Sequence, residues 1–201
     1  MTTSERAAKL VYVMGPSGAG KDTLLAYARA RVDPNRVVFA HRYITRPADA
    51  GGENHVALSP AEFAARQSAG LFALSWESHG FMYGIGLEID QWLDRGIVVV
   101  ISGARAAWPT AMTRYRDAIG VVVNTPAHIR AARLAKRGRE DEMAIRARLA
   151  REIPVYALSG TLYHLDNSGP PSVAGDVFVA ILQKTANALA PQSRVIDRIA
   201  P

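Results

Sequence analysis

The sequence predicts an α/β fold, a parallel sheet with helices on both faces, in a single domain of 201 residues. Three observations predict it. Strand-like runs alternate with helix-like runs along the chain. The central runs "IVVVIS" from Ile97 and "IGVVVN" from Ile119 are apolar up to their last residue, as strands covered on both faces are. Finally, an apolar run, a glycine-rich turn and a helical pattern succeed one another over residues 9–32. That is the strand–loop–helix order of a phosphate-binding unit.

Taken in order, "KLVYVMG" (Lys9–Gly15) is rich in β-branched and aromatic residues and reads as a buried strand. "KDTLLAYARARV" has helical apolar spacing at Leu24, Leu25, Ala28 and Val32. Arg36–Pro47 reads as a second strand running into a polar turn. Ser59, Pro60 and Glu62 form a capping box with proline at the first helical position, and Gly70 ends that helix. Leu71–Trp76 reads as a strand, "HGFMYGIG" as a hairpin-like stretch, and "LEIDQWLDRG" as a helix stopped by Gly96. After the two central strands, "AHIRAARLAKRG" and "EDEMAIRARLAREI" read as helices and "TLYHLDN" as a last strand. Ser172 is placed as the cap of a final helix. The core is expected at about 9–40, 87–126 and 160–190, interrupted by a small polar insert at about 41–86 and an arginine-rich segment at about 127–159.

"GPSGAGKD" at Gly15–Asp22 matches the phosphate-loop pattern G-x-x-x-x-G-K-[ST] in all but its last position. Gly15, Gly18 and Gly20 let the backbone wrap an anion closely, with loop N–H groups pointing inward at the start of the following helix. Lys21 brings a cation to the terminal phosphates. Asp22 stands where a magnesium-ligating hydroxyl is usual. A carboxylate is a hard-oxygen ligand too, so Asp22 is the candidate metal residue. Thr23 keeps a hydroxyl one residue later.

Net charge is +6 and arginine dominates the basic set, a balance suited to anionic ligands. Seven arginines lie between Arg130 and Arg151 without interleaved aromatics, which argues against single-stranded nucleic acid. The chain has no Cys, which excludes disulfides and thiol chemistry. Apolar runs such as Ile97–Ile101 are too short for a bilayer, and no signal-peptide core precedes the first strand, so a cytoplasmic location is expected.

Several stretches resemble the guanylate kinase family of P-loop nucleoside-monophosphate kinases: "GPSGAGKDT", "ITRP" at Ile44–Pro47, "YG" at Tyr83–Gly84 and "RLAKRG…RARL" at Arg133–Leu149. The resemblance implies that Arg46 and Tyr83 hold an acceptor phosphate and that Arg137 and Arg148 close over the transferring group. The chain departs from that family where the base is read. Ser75 replaces the acid before Trp76, no acid ends the "VVVIS" strand, and Asp49 replaces a second arginine. "GKD", "HRYITRPA", "ENHVALS", "LFALSW", "YGIGLEIDQWL" and "GREDE…ARLAR" resemble instead the ribose 1,5-bisphosphokinases. That resemblance implies ATP and magnesium as cofactors, ribose 1,5-bisphosphate as acceptor, and no nucleic-acid or membrane partner. A nucleoside-monophosphate kinase and a non-catalytic phospho-ligand module remain alternatives.

The candidate residues follow. Lys21, Arg137 and Arg148 are the catalytic candidates. The nucleotide candidates are the whole loop and helix start, Gly15, Pro16, Ser17, Gly18, Ala19, Gly20, Lys21, Asp22 and Thr23, with Arg133 and Asn167. Arg42, Arg46, His55, Tyr83 and Arg105 are the acceptor candidates, since a bisphosphate needs two anion sites. Arg105 follows the carboxyl end of a central strand, the side on which such sheets bind ligands.

Overall fold

The computed structural model describes residues 9–48, 55–136 and 160–189. Its elements are β1 (Leu10–Met14), α1 (Lys21–Arg29), β2 (Val37–Phe39), β3 (Tyr43–Ile44), β4 (Val56–Ala57), α2 (Pro60–Ser68), β5 (Phe72–Ser78), β6 (Phe81–Gly86), α3 (Glu88–Asp94), β7 (Val98–Ser102), α4 (Trp108–Arg114), β8 (Ile119–Asn124), α5 (Ala127–Lys136), β9 (Thr161–Asp166) and α6 (Pro171–Leu189). A short 3₁₀ turn, Arg105–Ala107, precedes α4.

Five strands form one sheet in the order β2-β7-β1-β8-β9, and every pairing is parallel. Side chains alternate between its faces. Val11 and Val13 point with Val98, Val100, Val121 and Val123 into a core closed by Leu24 and Ala28 of α1 and by Phe178 and Leu182 of α6. Tyr12 and Met14 point the other way with Val99, Ile101 and Val122, against Ile89 and Leu93 of α3 and Trp108 and Ala111 of α4. The α/β fold with a parallel sheet covered on both faces is therefore as expected. β1 lies between β7 and β8, where the chain changes direction across the sheet, so the crevice beyond its carboxyl end is the expected ligand site.

A second sheet, in the order β4-β3-β6-β5, carries Ala73, Leu74 and Ile85 into the second of these cores. β5 and β6 form an antiparallel hairpin whose two turn residues, His79 and Gly80, both have positive φ.

Two expectations need correction, and one helix was not expected. Arg36–Pro47 is not one strand. β2 joins the large sheet and β3 the small one, and the chain changes sheets between them. The helix α4 has no counterpart in the sequence reading. Its apolar stripe is only Trp108 and Ala111 with Met112 against the core, too short to read from spacing. Ser172 does not cap the last helix; α6 begins one residue earlier, at Pro171, whose fixed φ suits a first helical turn. The capping box is present as read, with Ser59 Oγ accepting from the Glu62 N–H at 3.1 Å. The helix expected at Glu140–Ile153 lies outside the described residues.

Candidate active site

The loop Gly15–Gly20 leaves the buried end of β1 and returns into α1. Ser17 and Gly18 are the central residues of a turn closed by the Ala19 N–H, which donates to the Pro16 carbonyl at 3.2 Å. Ser17 is half-buried there, so the nucleotide role expected of it rests on its place in the loop. Gly20 precedes the helix at φ 87°, and a Cβ there would stand 2.5 Å from Asn167 Nδ2. Only glycine meets both conditions. No side chain caps α1, which suits its N-terminus to an anion. Lys21 Nζ donates across the loop to the carbonyls of Gly15 (2.8 Å) and Pro16 (3.2 Å). Its charge is thus held over the span where a phosphate chain would lie. Thr23 is exposed in the first turn of α1.

The loop is braced from behind at one atom. The carbonyl oxygen of Ala19 accepts from Asn167 Nδ2 at 2.7 Å, and Thr125 Oγ1 (3.2 Å) and Arg133 Nη1 (3.4 Å) also converge on it. Arg133 Nη2 donates to the Asn167 carbonyl at 2.8 Å, and Arg130 Nε to the Thr125 carbonyl at 3.1 Å. Residues following β8 and β9, and the helix α5, therefore hold the loop's shape together. Arg133 and Asn167 also line a cleft beside the loop with Gly20, Thr23, Lys136 and Pro171.

Asp22 is half-buried in the first turn of α1 and has no hydrogen bond or ion pair to any described residue. Ser102, at the carboxyl end of β7, is 4% exposed, and its hydroxyl has no partner among the described residues. No cluster of three or more His, Cys, Asp or Glu suited to a metal occurs among the described residues. One carboxylate and one hydroxyl nevertheless fit magnesium, which usually keeps waters and takes its remaining ligands from substrate phosphates.

Four of the five acceptor candidates, Arg42, Arg46, His55 and Tyr83, lie on or beside the strands of the second sheet. Tyr83 on β6 stacks on Trp76, ring centres 5.6 Å apart and planes 4° from parallel. The Arg42 guanidinium lies 5.3 Å from the centre of the Tyr83 ring. Burial raises the pKa of the Tyr12 phenol, against the opposing charge of Arg42. Tyr12 donates to the Ala104 carbonyl at 2.8 Å, and its ring occupies the space a side chain at Gly103 would fill. His55 Nε2 is 3.1 Å from the Arg46 carbonyl and fixes the backbone there. The Nε of Arg46 is buried with no hydrogen-bond partner among the described residues. Arg105 opens the 3₁₀ turn beyond β7. Arg137 and Arg148 lie outside the described residues. Ser75, at the place of a base-reading acid, accepts a hydrogen bond from Gln67 at 3.1 Å.

Sequence reasoning missed Thr125, Ser102 and Tyr12. The first two follow or end central strands on the ligand side of the sheet, a position that could have singled them out. Tyr12 read only as a core aromatic. Among the described residues no helix is long and apolar enough to cross a membrane.

No protein-family model matches the chain. It is 54% identical over 178 residues to the ribose 1,5-bisphosphate phosphokinase of Desulfomicrobium baculatum, covering 88% of this chain and 95% of that one. It is 56% identical over 181 residues to the ribose 1,5-bisphosphate phosphokinase of Burkholderia pseudomallei, covering 90% of this chain and 98% of that one. Among solved structures, a guanylate kinase from Anaplasma phagocytophilum superposes with a TM-score of 0.65 at 17% identity, covering 88% of this chain and 85% of that one. A sugar kinase from Janibacter superposes with a TM-score of 0.54 at 17% identity, covering 92% and 99%. These two likenesses carry the P-loop kinase fold alone. The near-full-length identity to the curated relatives carries more: this chain belongs to the ribose 1,5-bisphosphate phosphokinase family.

Proposed function

We propose that this protein transfers the γ-phosphoryl group of ATP to the 1-phosphate of ribose 1,5-bisphosphate, yielding 5-phosphoribosyl 1-diphosphate and ADP. One observation carries the reading. The phosphate loop keeps its lysine and all three glycines, the second sheet is flanked by Arg42 and Arg46, and no acid stands before Trp76 or at the end of the Val98–Ser102 strand. The family membership agrees with it.

The step needs little covalent help from the protein. An oxygen of the acceptor's 1-phosphate, already ionised near neutral pH, attacks the γ-phosphorus. The bond from that phosphorus to the bridging oxygen breaks, and its electron pair leaves with ADP. No proton moves, so no general base is required. The protein's work is alignment and charge neutralisation. Lys21 and the loop N–H groups hold the donor phosphates. Arg42, Arg46 and Arg105 supply the cations for two acceptor phosphates, with Tyr83 as the apolar wall. Arg137 and Arg148, by resemblance, close from the lid. Magnesium, when bound, would offset charge between the donor's outer phosphates, with Asp22 on its protein side.

The test is product analysis. Purified protein with ATP, magnesium and ribose 1,5-bisphosphate should give equimolar ADP and a new diphosphate, seen as a pair of coupled resonances by phosphorus NMR. ADP release with free phosphate and unchanged sugar bisphosphate would refute the reading.

A further inference from the structure

We propose that Asp22 and Ser102 form one divided metal-holding pair, in which carboxylate and hydroxyl have exchanged the places they usually hold in P-loop enzymes. In the usual arrangement the loop supplies Ser or Thr and the end of a neighbouring strand supplies the acid. Here the loop supplies Asp22 and the strand end supplies Ser102. The inference rests on the chain being an ATP-using kinase, and not on which acceptor it takes.

Four observations carry it. The Ser102 hydroxyl is buried and has no partner among the described residues, a condition costly enough that native proteins rarely leave it unanswered. Asp22 is half-buried and equally without a partner among them. The two share one side of the sheet. Ser102 pairs in register with Val13 and alternates with Val98 and Val100, whose side chains meet α1, and Asp22 lies in the first turn of α1. The end of β7 also abuts the start of the loop, since the Gly103 N–H donates to the Val13 carbonyl at 2.9 Å, two residues before Gly15. The exchange leaves the site with one carboxylate and one hydroxyl, the same charge and hard-oxygen donors as before. Ser102 contacts the ion directly or holds one of its waters; either way its hydroxyl is answered only when metal and phosphates are in place.

The experiment measures ATP affinity by calorimetry, with magnesium and with chelator, for wild type, Ser102→Ala, Asp22→Ser, Ser102→Asp and the reciprocal pair Asp22→Ser/Ser102→Asp. No acceptor is present, so the outcome does not depend on the sugar substrate. Ser102→Ala should lose about 10- to 100-fold of the magnesium-dependent gain in affinity, with metal-free affinity unchanged. Asp22→Ser should lose at least as much, and the reciprocal pair should recover most of it. The proposal is overturned if Ser102→Ala keeps the full gain, or if a folded reciprocal pair binds magnesium–ATP no better than Asp22→Ser. Thermal melts report whether the reciprocal pair folds; if it does not, Ser102→Ala decides alone. Absence of ATP binding by wild type under both conditions would overturn the kinase reading as well, and so is distinguishable.

Discussion

Asn167 donates its side-chain amide to the carbonyl of Ala19 at 2.7 Å, joining residues 148 apart in sequence. Ala19 lies between two glycines with positive φ, so its peptide is oriented by what grips it. The amide behind β9 thereby shapes the front of the loop. Arg133 binds the backbone of Asn167 itself, which makes the last strand, α5 and the loop one mechanical unit.

Replacing Asn167 by Ala should therefore weaken the protein and its nucleotide site together. Loss of the bond is worth about 1 kcal/mol net, a fall in Tm of ~2–4 °C for a chain of this size. ATP affinity should fall about tenfold with it. Asn167→Asp should be worse, because it sets a carboxylate against a carbonyl. Differential scanning fluorimetry with and without ATP checks both. An unchanged Tm and affinity in Asn167→Ala would show that Thr125 and Arg133 suffice to hold the loop.

Lys21→Ala should leave the fold intact, because the lysine ammonium bonds to loop carbonyls and adds nothing to either apolar core. Turnover should drop by ~10²–10⁴, as expected when a charge that stabilises the transferring phosphates is removed. Steady-state kinetics beside a thermal melt separates the two effects. Near-wild-type turnover would remove the loop from the donor site.

Arg46→Ala should act on the acceptor alone. A charge-assisted bond to a phosphate is worth roughly 1.5–3 kcal/mol, so acceptor KM should rise ~10- to 100-fold while ATP KM stays within about twofold. His55→Ala should give a weaker form of the same phenotype, since His55 bonds to the Arg46 backbone. A rise in ATP KM in place of acceptor KM would assign Arg46 to the other substrate.

Asp22 makes the chain's departure from the usual loop testable. Activity should require magnesium, and Asp22→Ala should need more of it. Asp22→Ser, which restores the common loop sequence, should not be a better enzyme, because it leaves the site without a carboxylate. A magnesium titration of all three proteins checks this. Identical magnesium dependence would show that Asp22 has no metal role.

Much of this architecture was legible in the sequence because it rests on local signals. Val98–Ile101 and Ile119–Val123 are apolar since helices cover both faces, and the glycines before Lys21 answer a backbone requirement. The capping box at Ser59 is equally local. What escaped depends on contacts between distant segments. Nothing near Tyr43 states that the chain changes sheets there; that follows from the pairing of Tyr43 with Gly84 and of Ile44 with Tyr83, some forty residues on. Nothing near Thr125 points to the carbonyl of Ala19. Ser102 could be noted only as the absence of an acid, until its buried hydroxyl gave it a position. Asn167 was legible as a ligand-side residue at the end of the last strand, and its amide grip on the loop was not.

One measurement decides the acceptor: ATP-dependent phosphorylation of ribose 1,5-bisphosphate and of GMP by the same preparation, compared as kcat/KM. Sites built to bind a polar group reject analogues by large factors, and here Ser75 precedes Trp76 where the resembled family has its base-reading acid. A preference for ribose 1,5-bisphosphate of at least ~100-fold is expected. Comparable efficiency on GMP, or on another nucleoside monophosphate, would contradict it.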